Sequence, residues 1–238
     1  MGDSRRLAAS GDCKGAFDEW NSVFNDDGGS SCGDKCPFLF KAWSGSDNTE
    51  NAIITSQPKS FDNFRAWLKK GNNEELIHVA GSPMAGDSDA GFIEGGDMYE
   101  VMVESGDFCE NTAMLFAELV KSGTDVLIHA GNLDILLGPA TVGEAVQSML
   151  EFIGEGAVEQ FRNSEKEIWR VEGAVAGFKK CIRREGSFCY VVLRNSGHES
   201  ASYMPRNAWS MQEEFMGREG GGRSCSEKSG GAGPLLDL

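Results

Sequence analysis

Two short apolar segments, each followed by a turn that contains glycine, constrain most strongly what this chain can fold into. They cover residues 126–130 (VLIHA) and 188–193 (FCYVVL), and both are too continuously apolar for a strand with one face in water. Apolar residues with helical spacing lie around and between them, at 112–121, 142–153 and 206–215. Helices that alternate with buried strands predict an α/β protein with a parallel sheet.

Each of the two turns carries one side chain capable of acid–base chemistry, Asp134 after the first strand and His198 after the second. Parallel strands end at the same edge of a sheet, so residues 64 positions apart (198 − 134) can converge there. In a Ser-Asp-His triad the carboxylate orients the imidazole and stabilises its charged form. Asp followed by His is the order of the last two triad members in α/β hydrolases. The alternative is a solvated loop aspartate and a turn histidine.

Charge and composition exclude two broad function classes. The 238 residues carry a net charge of −15, which argues against nucleic-acid phosphate as the main partner. No apolar run reaches the ~18–20 residues of a membrane span, and residues 1–13 lack the apolar core of a signal peptide. We therefore expect neither a nucleic-acid partner nor a membrane span.

Cysteines and histidines give no pattern typical of a metal site. The seven cysteines are an odd number without zinc-ligand spacing, so we expect no metal and no cofactor. Cys181 and Cys189 flank a turn, which is compatible with a hairpin disulfide and equally with free thiols. His78 and His129 lie within apolar segments, and we predict that both are core histidines.

Several segments, in a fixed order, carry a resemblance to one known family. Residues 126–138 (VLIHAGNLDILLG) resemble the motif VLIYNGNLDIICG, and residues 191–198 (VVLRNSGH) resemble VVVRNAGH. Both motifs come from the C-terminal part of the serine carboxypeptidases, peptidase family S10, in their vitellogenic-like and venom branch. The aspartate matching Asp134 is that family's triad acid, and the histidine matching His198 is its triad base. Further segments in register are 76–79, 169–178, Pro205 and Ala208.

The resemblance implies a fold, an activity and a compartment. It implies the C-terminal part of an α/β-hydrolase fold, with a parallel or mixed sheet flanked by helices, over residues 71–216, preceded by an irregular, cap-like segment at 1–70. Residues 217–238 form a Gly/Ser-rich tail that we expect to be disordered. Family members hydrolyse C-terminal peptide bonds at acidic pH, with peptide or protein C-termini as partners, and they are secreted, lysosomal or vacuolar.

The family's nucleophile motif, GESY[AG]G, lacks a convincing counterpart in this chain. Residues 86–91 (GDSDAG) copy its spacing around Ser88. A nucleophile elbow needs a buried strand before it and a packed helix after it, whereas GSPMA precedes this stretch and FIEGG follows it. We therefore interpret residues 86–91 as a Gly/Asp-rich loop, with an esterase-like use of Ser88 as an alternative.

The residues that follow His198 also depart from the family pattern. Glu199, Ser200 and Ala201 stand where the family has Met and then Val-Pro, and Glu199 would set an anion near the carboxylate of a substrate. These departures predict a chain that is inactive by itself. It is then either a fragment whose serine-bearing half lies elsewhere or a non-catalytic binding protein. Apolar surface meant for a lost half predicts self-association or binding of that half.

Overall fold

The computed structural model describes residues 2–24, 39–46, 48–55, 63, 66–67, 70, 73–78 and 101–217. Residues 86–91, which we predict to be a loop, and residues 218–238, which we predict to be a disordered tail, lie outside the described residues. The chain divides into two compact units: Met1–Thr112 with Leu133–Leu136, and Ala113–Asn132 with Leu137–Leu238. The boundaries predicted at residues 70 and 216 stay predictions.

The described part of the first unit contains helical residues, among them 101–104, and turns, bends and irregular backbone at residues 48–55. Its elements are α1 (Gly2–Ala9), α2 (Cys13–Phe24), α3 (Leu39–Ser44), α4 (Asn73–Leu76) and a 3₁₀ turn (Asp107–Cys109). A disulfide joins Cys13 on α2 to Cys109, and beside it the rings of Phe17 and Phe108 stack with centroids 5.0 Å apart. The disulfide and the stacked rings therefore fix α2 against the 3₁₀ turn.

His78 is not a core histidine, so that prediction is wrong. α4 ends at Leu76, and His78 lies in the turn that follows, with an exposed side chain and a φ of 60°. The apolar run around His78 suggests a strand in the sequence. In the structure its residues Leu76 and Ile77 are also exposed to solvent, and they lie at the end of α4 and in the turn after it.

The second unit contains the sheet. In chain order its elements are α5 (Ala113–Lys121), β1 (Val126–Gly131), α6 (Pro139–Ile153), α7 (Ala157–Asn163), β2 (Glu167–Val171), β3 (Ala174–Arg183), β4 (Ser187–Leu193), α8 (Ser200–Tyr203) and α9 (Pro205–Met216). The strand order is β1-β4-β3-β2; β1 and β4 are parallel, and the other two pairs are antiparallel. The predicted mixed sheet flanked by helices is confirmed.

Each face of the sheet is covered by helices, because side chains alternate between the faces along a strand. On one face, α5, α6 and α7 pack over Phe188 and Ile182 through the buried side chains Val120, Val146 and Leu150. On the other face, α9 covers a second core made of Trp169, Ala176, Val191, Leu193, Ala208 and Met211. Burial on both faces explains why β1 and β4 read as nearly continuous apolar runs.

Contacts at the amino ends of β1 and β4 fix their register. The backbone N–H of Ser187 donates to Oδ1 of Asp125 at 2.7 Å. Hydrogen bonds from Ser187 hold the pKa of Asp125 below its ordinary value, against the opposing effect of burial. Cys181 and Cys189, which face each other on β3 and β4, form a disulfide, so the hairpin-disulfide alternative is the one adopted.

Candidate active site

The two turns singled out by the sequence follow the carboxyl ends of their strands, at the same end of the sheet. β1 and β4 are parallel neighbours, in register from Val126 opposite Phe188 to Gly131 opposite Leu193. Just beyond β1, the N–H of Asn132 donates to the carbonyl oxygen of Leu193 at 2.9 Å. The chain segments that lead to Asp134 and to His198 therefore start side by side.

The turn after β4 is fixed by its backbone. The N–H of Arg194 donates to the carbonyl oxygen of Ala176 on β3 at 2.8 Å, and Asn195 adopts a left-handed conformation with φ 60°. Ser196 is fully buried, and its Oγ donates to the carbonyl oxygen of Gly197 at 3.2 Å. His198 follows with a half-buried side chain. The imidazole thus follows two buried residues, Ser196 and Gly197, at the end of a turn whose first residues, Arg194 and Asn195, are exposed.

Asp134 belongs to the short segment Leu133–Leu136, which groups with the first unit. The carbonyl oxygen of Leu133 accepts a hydrogen bond from the N–H of Ala52 at 2.8 Å, which ties this segment to the first unit. The side chain of Asp134 is half-buried. Asp134 therefore follows β1 in the chain but is grouped with the first unit, whereas His198 lies in the second. Their catalytic pairing stays a prediction.

The residues after His198 differ sharply in exposure. Glu199 is exposed and immediately precedes α8. Ser200 is only 5% exposed, and within the described part of the chain its Oγ has no hydrogen-bond partner. The sequence shows that Ser200 departs from the family motif but does not reveal that its side chain is buried, because burial depends on tertiary packing.

His129 is not a core histidine either, so this prediction is also wrong. It lies on β1 opposite Val191, but its side chain is exposed, because β1 is the edge strand of the described sheet. Partial desolvation of the ring nevertheless lowers the pKa of His129 from its ordinary value.

Two further observations concern ligands and membranes. Among the residues that the structure describes, no group of three or more His, Cys, Asp or Glu side chains is arranged to hold a metal ion. No helix within the described ranges is long and apolar enough to cross a membrane. The ionisable groups singled out here are the carboxyl group of Asp134, which follows β1, and the imidazole of His198, which follows β4.

Comparisons with known proteins point in one direction. A family model described as serine carboxypeptidase (Peptidase_S10) matches residues 13–218. A protein named probable serine carboxypeptidase CPVL from Dictyostelium discoideum is 25% identical over 186 residues, covering 77% of this chain and 34% of that protein. The protein of the same name from Homo sapiens is 24% identical over 183 residues, covering 76% of this chain and 35% of that protein.

A shorter stretch has a higher identity to a vitellogenic carboxypeptidase from Aedes aegypti. The two are 34% identical over 91 residues, which is 38% of this chain and 18% of the mosquito protein. Against the CPVL proteins, the matched part of the chain spans about a third of the relative's length, 34% and 35% in the two cases given.

Proposed function

Because the chain belongs to the serine carboxypeptidase family, peptidase S10, we propose that it carries the acid–base part of a serine carboxypeptidase site. Asp134 orients the imidazole of His198 and stabilises its protonated form. His198 takes the proton of a serine hydroxyl while the serine oxygen attacks the carbonyl carbon of a C-terminal peptide bond. It then passes the proton to the leaving amine. Water repeats the sequence to release the acyl group.

One observation carries this proposal: the turns with the two residues begin at adjacent, parallel strands. The hydrogen bond from Asn132 N–H to the carbonyl oxygen of Leu193 sets those beginnings next to each other. Asp134 lies two residues beyond Asn132, and His198 lies five residues beyond Leu193. Both residues therefore follow the carboxyl ends of adjacent parallel strands in the chain, and catalytic groups of parallel sheets are commonly found after such ends, which supports the proposed pair.

We infer that the serine is not supplied by this chain, because residues 86–91 have neither a buried strand before them nor a packed helix after them in the sequence, and we expect no turnover by the chain alone. Peptide or protein C-termini are the proposed substrates once a serine is supplied. Glu199 favours the second candidate, a non-catalytic binding protein of the same fold. Its exposed carboxylate stands next to His198 and would repel the terminal carboxylate of a bound peptide. A binding protein of this kind would take ligands other than free C-termini.

The nucleophile is tested with the purified chain. We expect no hydrolysis of a blocked dipeptide carboxypeptidase substrate between pH 4 and 7, and no covalent adduct with a fluorophosphonate probe, which labels activated serines. The control is the Ser88→Ala variant. Turnover or labelling that disappears in this variant would overturn the proposal and support an esterase-like use of Ser88.

The acid–base pair is tested by imidazole titration, because the chain has only three histidines. Their ring resonances can be assigned by NMR with His78→Gln and His129→Gln variants. We expect the titration midpoint of His198 to fall by about 1 unit or more in Asp134→Asn, since the carboxylate stabilises the imidazolium. An unchanged midpoint in a folded Asp134→Asn variant would exclude the pair.

Two disulfides support the proposal that the protein resides in an oxidising compartment. Cys13–Cys109 and Cys181–Cys189 lie in separate units, and structural disulfides persist in oxidising environments. We propose that the chain resides in the secretory pathway or in a compartment reached from it, as is typical of the family.

A further inference from the structure

Gly131, the last residue of β1, lies directly beneath the turn that carries His198. A Cβ atom added at Gly131 would come within 3.0 Å of the carbonyl oxygens of Ser196 and Gly197. Real Cβ atoms essentially never show contacts of that length. Both oxygens belong to the backbone, and Ser196 and Gly197 are buried. A side chain at position 131 therefore cannot be accommodated by a rotamer change; the turn or the strand must move.

Asn195 completes the path of this turn. Its φ of 60° is in the left-handed region, which costs most residues about 1 kcal/mol or more and which asparagine tolerates better than most. The hydrogen bond from Arg194 N–H to the carbonyl oxygen of Ala176 anchors the start of the turn on β3. The left-handed residue comes directly after this anchor and directly before Ser196, at the point where the chain reaches the end of β1.

We propose that Gly131 and Asn195 are positioning residues for His198. The missing side chain of Gly131 lets the turn lie against the end of β1, and the left-handed backbone of Asn195 directs the turn there. Together they hold the histidine turn against the carboxyl end of β1, without touching substrate. This inference rests on the proposed function of Asp134 and His198. A catalytic imidazole has to be held within about 0.5 Å of its productive position. A fixed turn before His198 would meet this requirement.

The chain offers two matched controls for a Gly131→Ala variant. At Gly186 an added Cβ would come just as close to the carbonyl oxygen of Thr124, but at the opposite end of the sheet. At Gly143, inside α6, nothing lies within 4 Å of an added Cβ. Gly186→Ala thus reproduces the backbone clash away from the site, and Gly143→Ala reproduces the substitution without any clash.

The readout is the NMR titration of His198, together with the backbone amide resonances of residues 196–198. We expect Gly131→Ala to lower the titration midpoint of His198 by at least half of the shift caused by Asp134→Asn, and to move the three amide resonances. Gly186→Ala should lower the melting temperature by a similar amount but leave His198 unchanged. Gly143→Ala should leave His198 unchanged and not lower the melting temperature, because alanine favours helix.

A second pair of variants applies if Gly131→Ala does not fold. Asn195→Ala should shift the His198 titration in the same direction, whereas Asn195→Gly, which accepts positive φ, should not. If Asp134→Asn shifts His198 while folded Gly131→Ala and Asn195→Ala leave it unchanged, the positioning role is wrong and the proposed acid–base pair stands. If Asp134→Asn has no effect on the titration of His198, the proposed acid–base pair is wrong, and the positioning role that rests on it is rejected as well.

Discussion

At the scale of single residues, Ser200 offers a test of how well the region after His198 is packed. Its Oγ is buried without a partner in the described part of the chain, and an unsatisfied buried hydroxyl costs about 1–3 kcal/mol. We expect Ser200→Ala to raise the free energy of unfolding by about 1 kcal/mol. Urea denaturation measures the change. The control is Ser196→Ala, which removes the hydrogen bond from Ser196 Oγ to Gly197 and should destabilise. A marked destabilisation by Ser200→Ala would indicate a polar partner for its hydroxyl.

Which residues could be predicted from sequence depends on whether their environment is local. Asp134 and His198 could be placed after neighbouring strands, since strand ends and turns are encoded within a few residues. The exposure of His129 and His78 could not be predicted from sequence. It depends on which other segments cover the edge strand β1 and the turn after α4. The closeness of Gly131 to Ser196 and Gly197 joins positions more than sixty residues apart. An isolated glycine at a strand end was its only local signal.

At the scale of elements, one carboxylate fastens α9 to the β2–β3 hairpin. Glu214 accepts hydrogen bonds from Nε1 of the buried Trp169 at 2.9 Å and from Nζ of Lys179 at 2.6 Å. Burial is the largest single influence on the pKa of Lys179 and lowers it. The hydrogen bonds and charges of Glu214 and Glu167 outweigh burial and leave that pKa raised. The contact therefore couples the stability of the second core to pH.

We expect Glu214→Gln to lower the free energy of unfolding by about 1 kcal/mol at neutral pH, since solvent screens a half-exposed carboxylate. A raised lysine pKa stabilises fully below the ordinary value of 10.5, and this contribution is lost as the pH rises through the folded value. The difference between wild type and variant should therefore shrink above about pH 10.5 in thermal unfolding. Glu172→Gln is the control, because its exposed pair with Arg206 also links α9 to this hairpin. It should cost close to nothing; an equal cost would contradict the role of Glu214.

The elements that could be predicted are those with a single clear period. Continuous or helically spaced apolar residues mark five elements: β1, β4, α5, α6 and α9. The structure confirms the predicted ends of these elements to within three residues. The hairpin of β2 and β3 could not be read in this way. Lys179 and Lys180 are adjacent in β3 and point to opposite faces, where Lys179 meets Glu214 and Lys180 donates to the carbonyl oxygen of Arg162. Neighbouring helices, rather than an alternating pattern, make these charges acceptable in a strand.

At the scale of the whole molecule, the family could be predicted because its motifs occur in a fixed order along the chain. The pairing of Cys13 with Cys109 could not, since nothing in the sequence links cysteines 96 positions apart. The long loop that this disulfide closes makes it an effective constraint on the unfolded chain, worth about 4.7 kcal/mol in the loop-entropy model. The first unit, whose described residues include no strand, thus owes some of its stability to a disulfide that the sequence does not predict.

The surface beside β1 leads to the last prediction, that the isolated chain self-associates or binds a complementary half. β1 is the edge strand of the described sheet and pairs only with β4 within it. On the neighbouring α5, Met114, Leu115 and Leu119 are exposed, Leu115 to 61%. An unpaired strand edge next to an apolar helix face favours association. We expect sedimentation velocity to show dimers or larger species at micromolar concentrations. A Leu115→Glu, Leu119→Glu double variant should shift them toward the monomer.

Trp209→Glu provides the matched control for this shift. Trp209 is 56% exposed, but it lies on α9, which covers the opposite face of the sheet from α5. If association uses the β1 and α5 surface, the charge on α9 leaves the distribution of species unchanged. A strictly monomeric wild type with one sharp, concentration-independent unfolding transition would contradict the prediction, because α5 and β1 would then need no further cover. Equal effects of both sets of charges would instead indicate nonspecific apolar adhesion and reject this surface.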